Sequence, residues 1–390
     1  MVAGGQTSPV QLLAAASAAL QRGDRAAALD CVVQAEAAAP YDPDVKMQKA
    51  LIHRMSGALP AALAALDEAL ALDPYNFLAL LSKGAVTEKL SGERLAARIY
   101  ENAIKLAPAE ANLPPNLKSP LARARAVVET TRTALAAYLA EQVGALDAAG
   151  GELAQRRLGE AIGIYAGTQK VYQQEPLLLH YPRLPAIPFY PRELFPWLPE
   201  LEAATPSIQA ELAGALETRM EAFAPYIAFP PHAPVNQWEE LNHSRRWSSL
   251  FLWKDGRRQD AVCAACPQTA ALLARLPLAD QPGFAPTAMF SALEASTHIP
   301  PHTGSTNVRL LCHLPLILPG PARFRVGNEV RAWELGKAWI FDDTIEHEAW
   351  NDADSLRVIL IFDVWNPYLE PGERERINAM MAARNAFYGG

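Results

Sequence analysis

The stretch Leu356-Arg-Val-Ile-Leu-Ile-Phe-Asp-Val364 decides how the second half of this chain folds. Read at the two-residue period of a strand, one face carries Arg357, Ile359, Ile361 and Asp363. The other carries Val358, Leu360, Phe362 and Val364. Both faces are mostly apolar, so the strand is expected to be covered on both sides, with Arg357 pointing inward. A buried guanidinium is costly unless a carboxylate or phosphate meets it. Two partners are open: an internal salt bridge to Asp342, Asp343 or Asp363, or the carboxylate of a ligand.

The neighbouring segments have the same character. From Asn307, alternate positions put Asn307, Arg309, Leu311 and His313 on one face, a polar set that reads as the lining of a site. Strands are expected at 248–254, 288–294, 306–317, 322–326, 329–333, 337–342 and 356–364. Lys254-Asp-Gly-Arg257 and Val326-Gly-Asn-Glu329 supply hairpin turns between them. Many short strands with hairpin punctuation predict a double-stranded β-helix, or jelly roll, rather than a βαβ sheet. No Gly-rich phosphate loop occurs in the chain.

Further out, the architecture changes. All eight tryptophans lie at or beyond Trp197, whereas residues 10–160 are rich in Ala and Leu, and prolines crowd between Pro176 and Pro234. Pro40, Pro74 and Pro108 recur every 34 residues, and Gly23, Gly57 and Gly92 keep nearly the same interval. Gly permits a tight turn, the alanines after it let paired helices approach, and Pro ends the second helix. This period resembles the tetratricopeptide repeat, with units at about 7–40, 41–74 and 75–108. Such an array offers either a concave peptide-binding groove or a rigid spacer or dimerisation arm. Helices are expected to continue over Leu121–Val143 and Glu152–Gln173. The chain is therefore expected to be an α+β multidomain protein. Tetratricopeptide-like helices span 1–110, a helical extension 111–178, the double-stranded β-helix 179–370 and a C-terminal helix 371–390.

Composition bounds the function. A net charge of −7 over 390 residues argues against a general nucleic-acid binder. No apolar run approaches the ~18 residues of a membrane span. The N-terminal residues lack the basic region of a secretory signal. Four cysteines make no disulfide framework, and Cys263 and Cys266 read as small apolar residues near a helix start. A cytoplasmic protein is expected.

Histidines mark the site. Four of the eight, His298, His302, His313 and His347, fall within 50 residues. His302 is placed just before one strand and His347 just after another, so the pair brackets the roll as metal ligands would. Position 304, where many oxygenases supply a carboxylate, is Gly. Three further stretches complete the pattern: His302-Thr-Gly-Ser-Thr-Asn307, Arg309-Leu-Leu-Cys-His313, and Phe341-Asp-Asp-Thr-Ile-Glu-His347-Glu-Ala-Trp-Asn351. Together with Arg357 and Phe362-Asp-Val-Trp-Asn-Pro367 they resemble the aspartyl/asparaginyl β-hydroxylases, which are Fe(II)- and 2-oxoglutarate-dependent dioxygenases. The resemblance covers roughly 180–370 and is densest over 288–367. Animal members also carry tetratricopeptide-like helices ahead of the oxygenase.

The resemblance implies that His302 and His347 ligate Fe(II), with Gly304 matching the family's glycine and leaving a position to water. It implies that Arg357, helped by Ser291, binds the distal carboxylate of 2-oxoglutarate, and that His313 sits near its metal-binding end. Arg309 matches a family arginine and is the candidate for holding an acidic substrate group. Leu311 stands where animal members carry a second arginine. The activity implied is hydroxylation of the β-carbon of Asp or Asn residues in a protein or peptide by O2, with the repeats as a possible docking site. Two alternatives stand beside it: a small molecule or lipid acyl chain as substrate, and a non-catalytic scaffold, against which the intact His302, His347 and Arg357 argue.

Overall fold

A computed structural model describes residues 7–144 and 151–388. It divides into two compact units, Met1–Lys170 and Val171–Gly390.

The first unit is built from helix pairs: α1 (Pro9–Gln21) with α2 (Arg25–Ala38), α3 (Pro43–Met55) with α4 (Leu59–Leu72), and α5 (Phe77–Ser91) with α6 (Glu93–Lys105). The turn glycines Gly23, Gly57 and Gly92 adopt φ of 81°, 76° and 85°, values that disfavour a side chain. Asp24 and Asn76 cap helices by accepting from the N–H groups of Ala27 and Ala79. Alanines make the close contacts, Ala16, Ala19, Ala28 and Ala35 in the first pair and Ala62, Ala65 and Ala69 in the second. Two further helices follow, the long α7 (Pro115–Gly144) and α8 (Glu152–Ala166). The last stops short of the expected 173 because Gly167, at φ 81°, closes it in the left-handed conformation. Among the described residues no helix is long and apolar enough to cross a membrane.

The second unit holds two antiparallel sheets. Its strands are β1 (Ala224–Pro225), β2 (Trp247–Lys254), β3 (Arg257–Arg258), β4 (Ala288–Leu293), β5 (Thr297–His302) and β6 (Arg309–Ile317). The rest are β7 (Ala322–Val326), β8 (Glu329–Ala332), β9 (Trp339–Phe341), β10 (His347–Asn351) and β11 (Arg357–Trp365). The larger sheet runs β1-β2-β4-β11-β6-β9, with β3 on β2, and the smaller runs β5-β10-β7-β8. The even-numbered face of β11, with Leu250, Phe290, Leu310 and Leu314, packs under α9 (Leu198–Ala203), α10 (Thr205–Thr218), α11 (Asp260–Ala265) and α12 (Pro267–Leu273). The odd face, with Met289, Leu293, Ile359 and Ile361, meets Ile299, Phe324 and Ala349 of the smaller sheet. The central strand is thus covered on both sides. Helix α13 (Pro371–Phe387) follows, with Ile377 and Met381 buried. Cys263 and Cys266 are buried thiols by α11, and Cys263 donates to the Leu252 carbonyl at 3.3 Å.

Four strands escaped the sequence reading, the two-residue β1 and β3 and the longer β5 and β10. Thr-His-Ile-Pro-Pro-His contains two prolines, which a sheet tolerates on an edge strand, and β5 lies at an edge. The boundary also differs. The second unit starts at Val171, ahead of the expected 179, because the intervening backbone is bonded into it. Glu175 N–H donates to Thr344 O at 2.8 Å and Leu177 N–H to Gly304 O at 2.9 Å. The Gln174 amide donates to Asp342 Oδ2 at 2.5 Å.

Candidate active site

A cavity of about 630 Å³ opens between the sheets of the second unit. Its wall carries His302, Arg309, His313, His347, Arg357 and Ser291, so the structure brings all six candidate residues to one pocket.

The histidines lie on strands, not before or after them as expected. His302 ends β5, His347 begins β10, and the two are register partners. Their ring centroids are 4.1 Å apart at an interplanar angle of 55°. His302 Nδ1–H donates to the Pro300 carbonyl at 2.7 Å, and His347 Nδ1–H to that of Ile345 at 3.0 Å. A ring nitrogen this close to a carbonyl oxygen must carry the proton, which leaves each Nε2 a bare lone pair. Burial keeps both imidazoles neutral, pushing His302 down to about 4 and His347 well below its ordinary value. Two neutral, oriented imidazoles suit a divalent transition metal. Among the described residues no group of three or more His, Cys, Asp or Glu is arranged to hold one.

Arg357 is 1% exposed, and its Nε and Nη1 have no hydrogen-bond partner. Of the three aspartates that could have paired with it, two are engaged elsewhere and the third, Asp343, lies against Gly304. Asp363 takes the Arg309 guanidinium, and Asp342 accepts from Thr344 and Gln174. Arg357 instead faces the Trp333 ring at 5.3 Å. Its environment is dry enough to pull even a guanidinium down to about 9. Ser291 lies on β4 beside Ile359 of β11, and His313 stacks on Trp333 at 5.6 Å with an unpartnered Nδ1. A buried cation and a buried imidazole nitrogen, both without an acceptor or donor, fit an anionic ligand that reaches from Arg357 towards the histidine pair.

Arg309 lines the pocket, but its charge is met by Asp363 and it lies over the Phe284 ring at 4.5 Å. Asn307, expected on the same lining face, instead clamps the 181 backbone, accepting from Tyr181 N–H at 2.8 Å and donating to Tyr181 O at 2.9 Å. His298 points away, to Glu348 at 2.8 Å and flat against Trp350.

The space beside Gly304 is filled by the Asp343 carboxylate. A Cβ built on Gly304 would lie 1.9 Å from Asp343 Oδ2. Asp343 is buried, and its Oδ1 has no partner. Burial raises its pKa to about 7, against the pull of Arg309. Below pH 3.8, the ordinary value, the group is protonated folded or unfolded. Between there and about 7 only the folded chain keeps the proton, so this group lowers stability as pH rises through that window. Asp343→Asn is expected to remove that decline. His302 acts in the opposite sense, so the readout is the difference between variant and wild type in thermal melts across the window. Parallel curves would show that Asp343 ionises normally.

Sequence reasoning missed Trp247, Trp238 and Trp333. Trp238 meets His302 edge-on at 4.9 Å. Trp247 shares the inward parity of Ser249 and Phe251, a signal that strand alternation carried once β2 is started one residue earlier.

Comparison with known proteins follows this geometry. The family model described as Aspartyl/Asparaginyl beta-hydroxylase matches residues 202–367, which takes in every strand. The human aspartyl/asparaginyl beta-hydroxylase is 42% identical over 144 residues, 36% of this chain and 19% of that protein, so the chain spans a minor part of that relative's length. The ornithine lipid ester-linked acyl 2-hydroxylase of Rhizobium tropici is 37% identical over 201 residues, 50% of this chain and 67% of that one. Among solved structures, the Sgt2 TPR domain from Aspergillus fumigatus overlaps 37% of this chain and 87% of its own, at 22% identity and a TM-score of 0.28. With a family match across the whole sheet system and a relative covered over two thirds of its length, the chain belongs to the aspartyl/asparaginyl β-hydroxylase family.

Proposed function

We propose that this chain is an Fe(II)- and 2-oxoglutarate-dependent dioxygenase that hydroxylates an unactivated C–H bond, at the β-carbon of Asp or Asn in a peptide. The observation that carries the reading is the pair of neutral imidazoles with free Nε2 lone pairs in one pocket with an unpaired, buried Arg357. When bound, iron and 2-oxoglutarate supply the oxidising power: O2 gives one oxygen atom to the C–H bond and one to succinate, with loss of CO2. His302 and His347 would hold the metal. Arg357 and Ser291 would take the distal carboxylate, and His313 would lie near the other end. The apolar walls, Met289, Ile359, Ile361 and Phe324 among them, keep water from the reacting carbon.

His302→Ala and His347→Ala are each expected to weaken metal binding by at least about 100-fold. Anaerobic titration with Fe(II), or with Mn(II) as a redox-quiet substitute, reads this directly, with succinate release alongside. Retained metal affinity in both variants would sink the assignment.

One observation favours a second substrate. Arg309 is neutralised by Asp363, and its neighbour on the same face is Leu311. The wall around them is apolar, with Phe251, Phe284 and Met289. An acyl chain or similar small molecule suits such a wall, and the Rhizobium relative is named for acyl hydroxylation. Offering an Asp- and Asn-containing peptide library and an acyl amphiphile to the loaded enzyme separates the two by which gains 16 Da. The first unit carries a groove of about 630 Å³ lined by Leu13, Met47, Leu51, Arg54 and Leu117, to which we assign recruitment of a protein or peptide.

A further inference from the structure

Ser291 Oγ has one hydrogen-bond partner among the described residues, and it is neither Arg357 nor backbone. Trp247, 5% exposed, donates its indole N–H to that oxygen at 3.0 Å. The indole is itself held, packed against Tyr226 at 4.3 Å and Trp238 at 5.9 Å. Strand register explains the meeting. Trp247 of β2 and Arg357 of β11 are both partners of Leu293, one on each side of β4, so Ser291 is flanked by the indole's strand and the guanidinium's strand.

A serine hydroxyl has one donor and two lone pairs, and its rotor turns to suit its surroundings. Left alone on a buried strand, it tends to donate to a nearby backbone carbonyl. An indole N–H can only donate, so it engages a lone pair and sets the rotor, and a hydroxyl that accepts becomes a better donor. We propose that Trp247 is a positioning residue, which turns the Ser291 hydroxyl into a fixed donor for the carboxylate held by Arg357. The inference rests on the co-substrate reading above.

The test is a double-mutant cycle on 2-oxoglutarate affinity, by calorimetry on the full chain loaded with Zn(II). Trp247→Phe keeps a ring and loses the N–H, and should weaken binding about fivefold. Ser291→Ala should weaken it about tenfold. The double variant should be no weaker than Ser291→Ala alone, because the indole acts only through the hydroxyl. Zn(II) affinity should not move. Losses that multiply in the double variant, or no loss in Trp247→Phe, would overturn the inference while leaving the co-substrate reading intact. If the wild type itself binds no 2-oxoglutarate, that reading falls and this one with it. Should Trp247→Phe fail to fold, the indole N–H resonance of Trp247 decides. It should shift when 2-oxoglutarate is added to the Zn(II)-loaded wild type and stay still in Ser291→Ala; a shift in both, or in neither, overturns the proposal.

Discussion

Arg357→Met is expected to weaken 2-oxoglutarate binding by roughly 30-fold or more while leaving the free protein at least as stable as wild type. The two halves of that result have one cause. In the free fold the guanidinium is 1% exposed, two of its nitrogens are unpartnered, and no carboxylate is paired with it. Removing a buried charge with no partner and filling its space with an apolar side chain is commonly neutral or stabilising. Removing the same charge from a pocket that binds a carboxylate costs about 2–5 kcal/mol, or roughly 30-fold to several-thousand-fold in affinity. Calorimetry on the metal-loaded chain measures the loss, and a thermal melt without ligand measures stability. Unchanged affinity would return Arg357 to a structural role. A large drop in melting temperature would show that some group in the free fold already meets its charge.

Gly304→Ala is expected to destabilise the second unit, and Gly304→Asp to do so further. A single added carbon would sit 1.9 Å from Asp343 Oδ2 and 2.2 Å from its Cγ, far inside contact distance. The obstacle cannot swing away freely, because Asp343 is buried. Overpacking of this kind typically costs about 1–3 kcal/mol, which in a unit of this size lowers the melting temperature by about 2–4 °C for each kcal/mol. Gly304→Asp adds a second carboxylate beside a group already held up to about 7 by burial, so two like charges would compete for one dry space. Asp343→Ala should relieve the Gly304→Ala defect, because it removes the atoms that collide. A Gly304→Ala variant that melts with wild type, or one that Asp343→Ala does not rescue, would show that the glycine has room to spare.

Much of the fold was legible from local rules. The 34-residue spacing of Pro40, Pro74 and Pro108 stands for three helix pairs, because turn glycines and closing prolines act within a few residues of themselves. The alternation in Leu356–Val364 implied burial on both faces with Arg357 inside, and β11 sits at the middle of the larger sheet. Strands β5 and β10 were less visible. Pro300 and Pro301 argue against a strand in any window that ignores its neighbours, and Glu346, His347 and Glu348 look solvated until β7 covers their other side.

What the sequence by itself determined is the division into helical repeats and strand-rich unit, the inward arginine, and the residue types that could bind a metal and an acid. These follow from periodicity and composition, which each segment carries alone. Only the tertiary structure decided which of those residues meet. His302 faces His347 because β5 pairs with β10 in one register. Asp363 neutralises Arg309, and so leaves Arg357 unpaired, because β11 runs beside β6. Asp343 fills the space over Gly304, and Trp247 finds Ser291 across β2 and β4. Each of these contacts joins segments far apart in the chain. A shift of one residue in strand pairing would turn every side chain to the other face, so the chemistry of the pocket is a property of register.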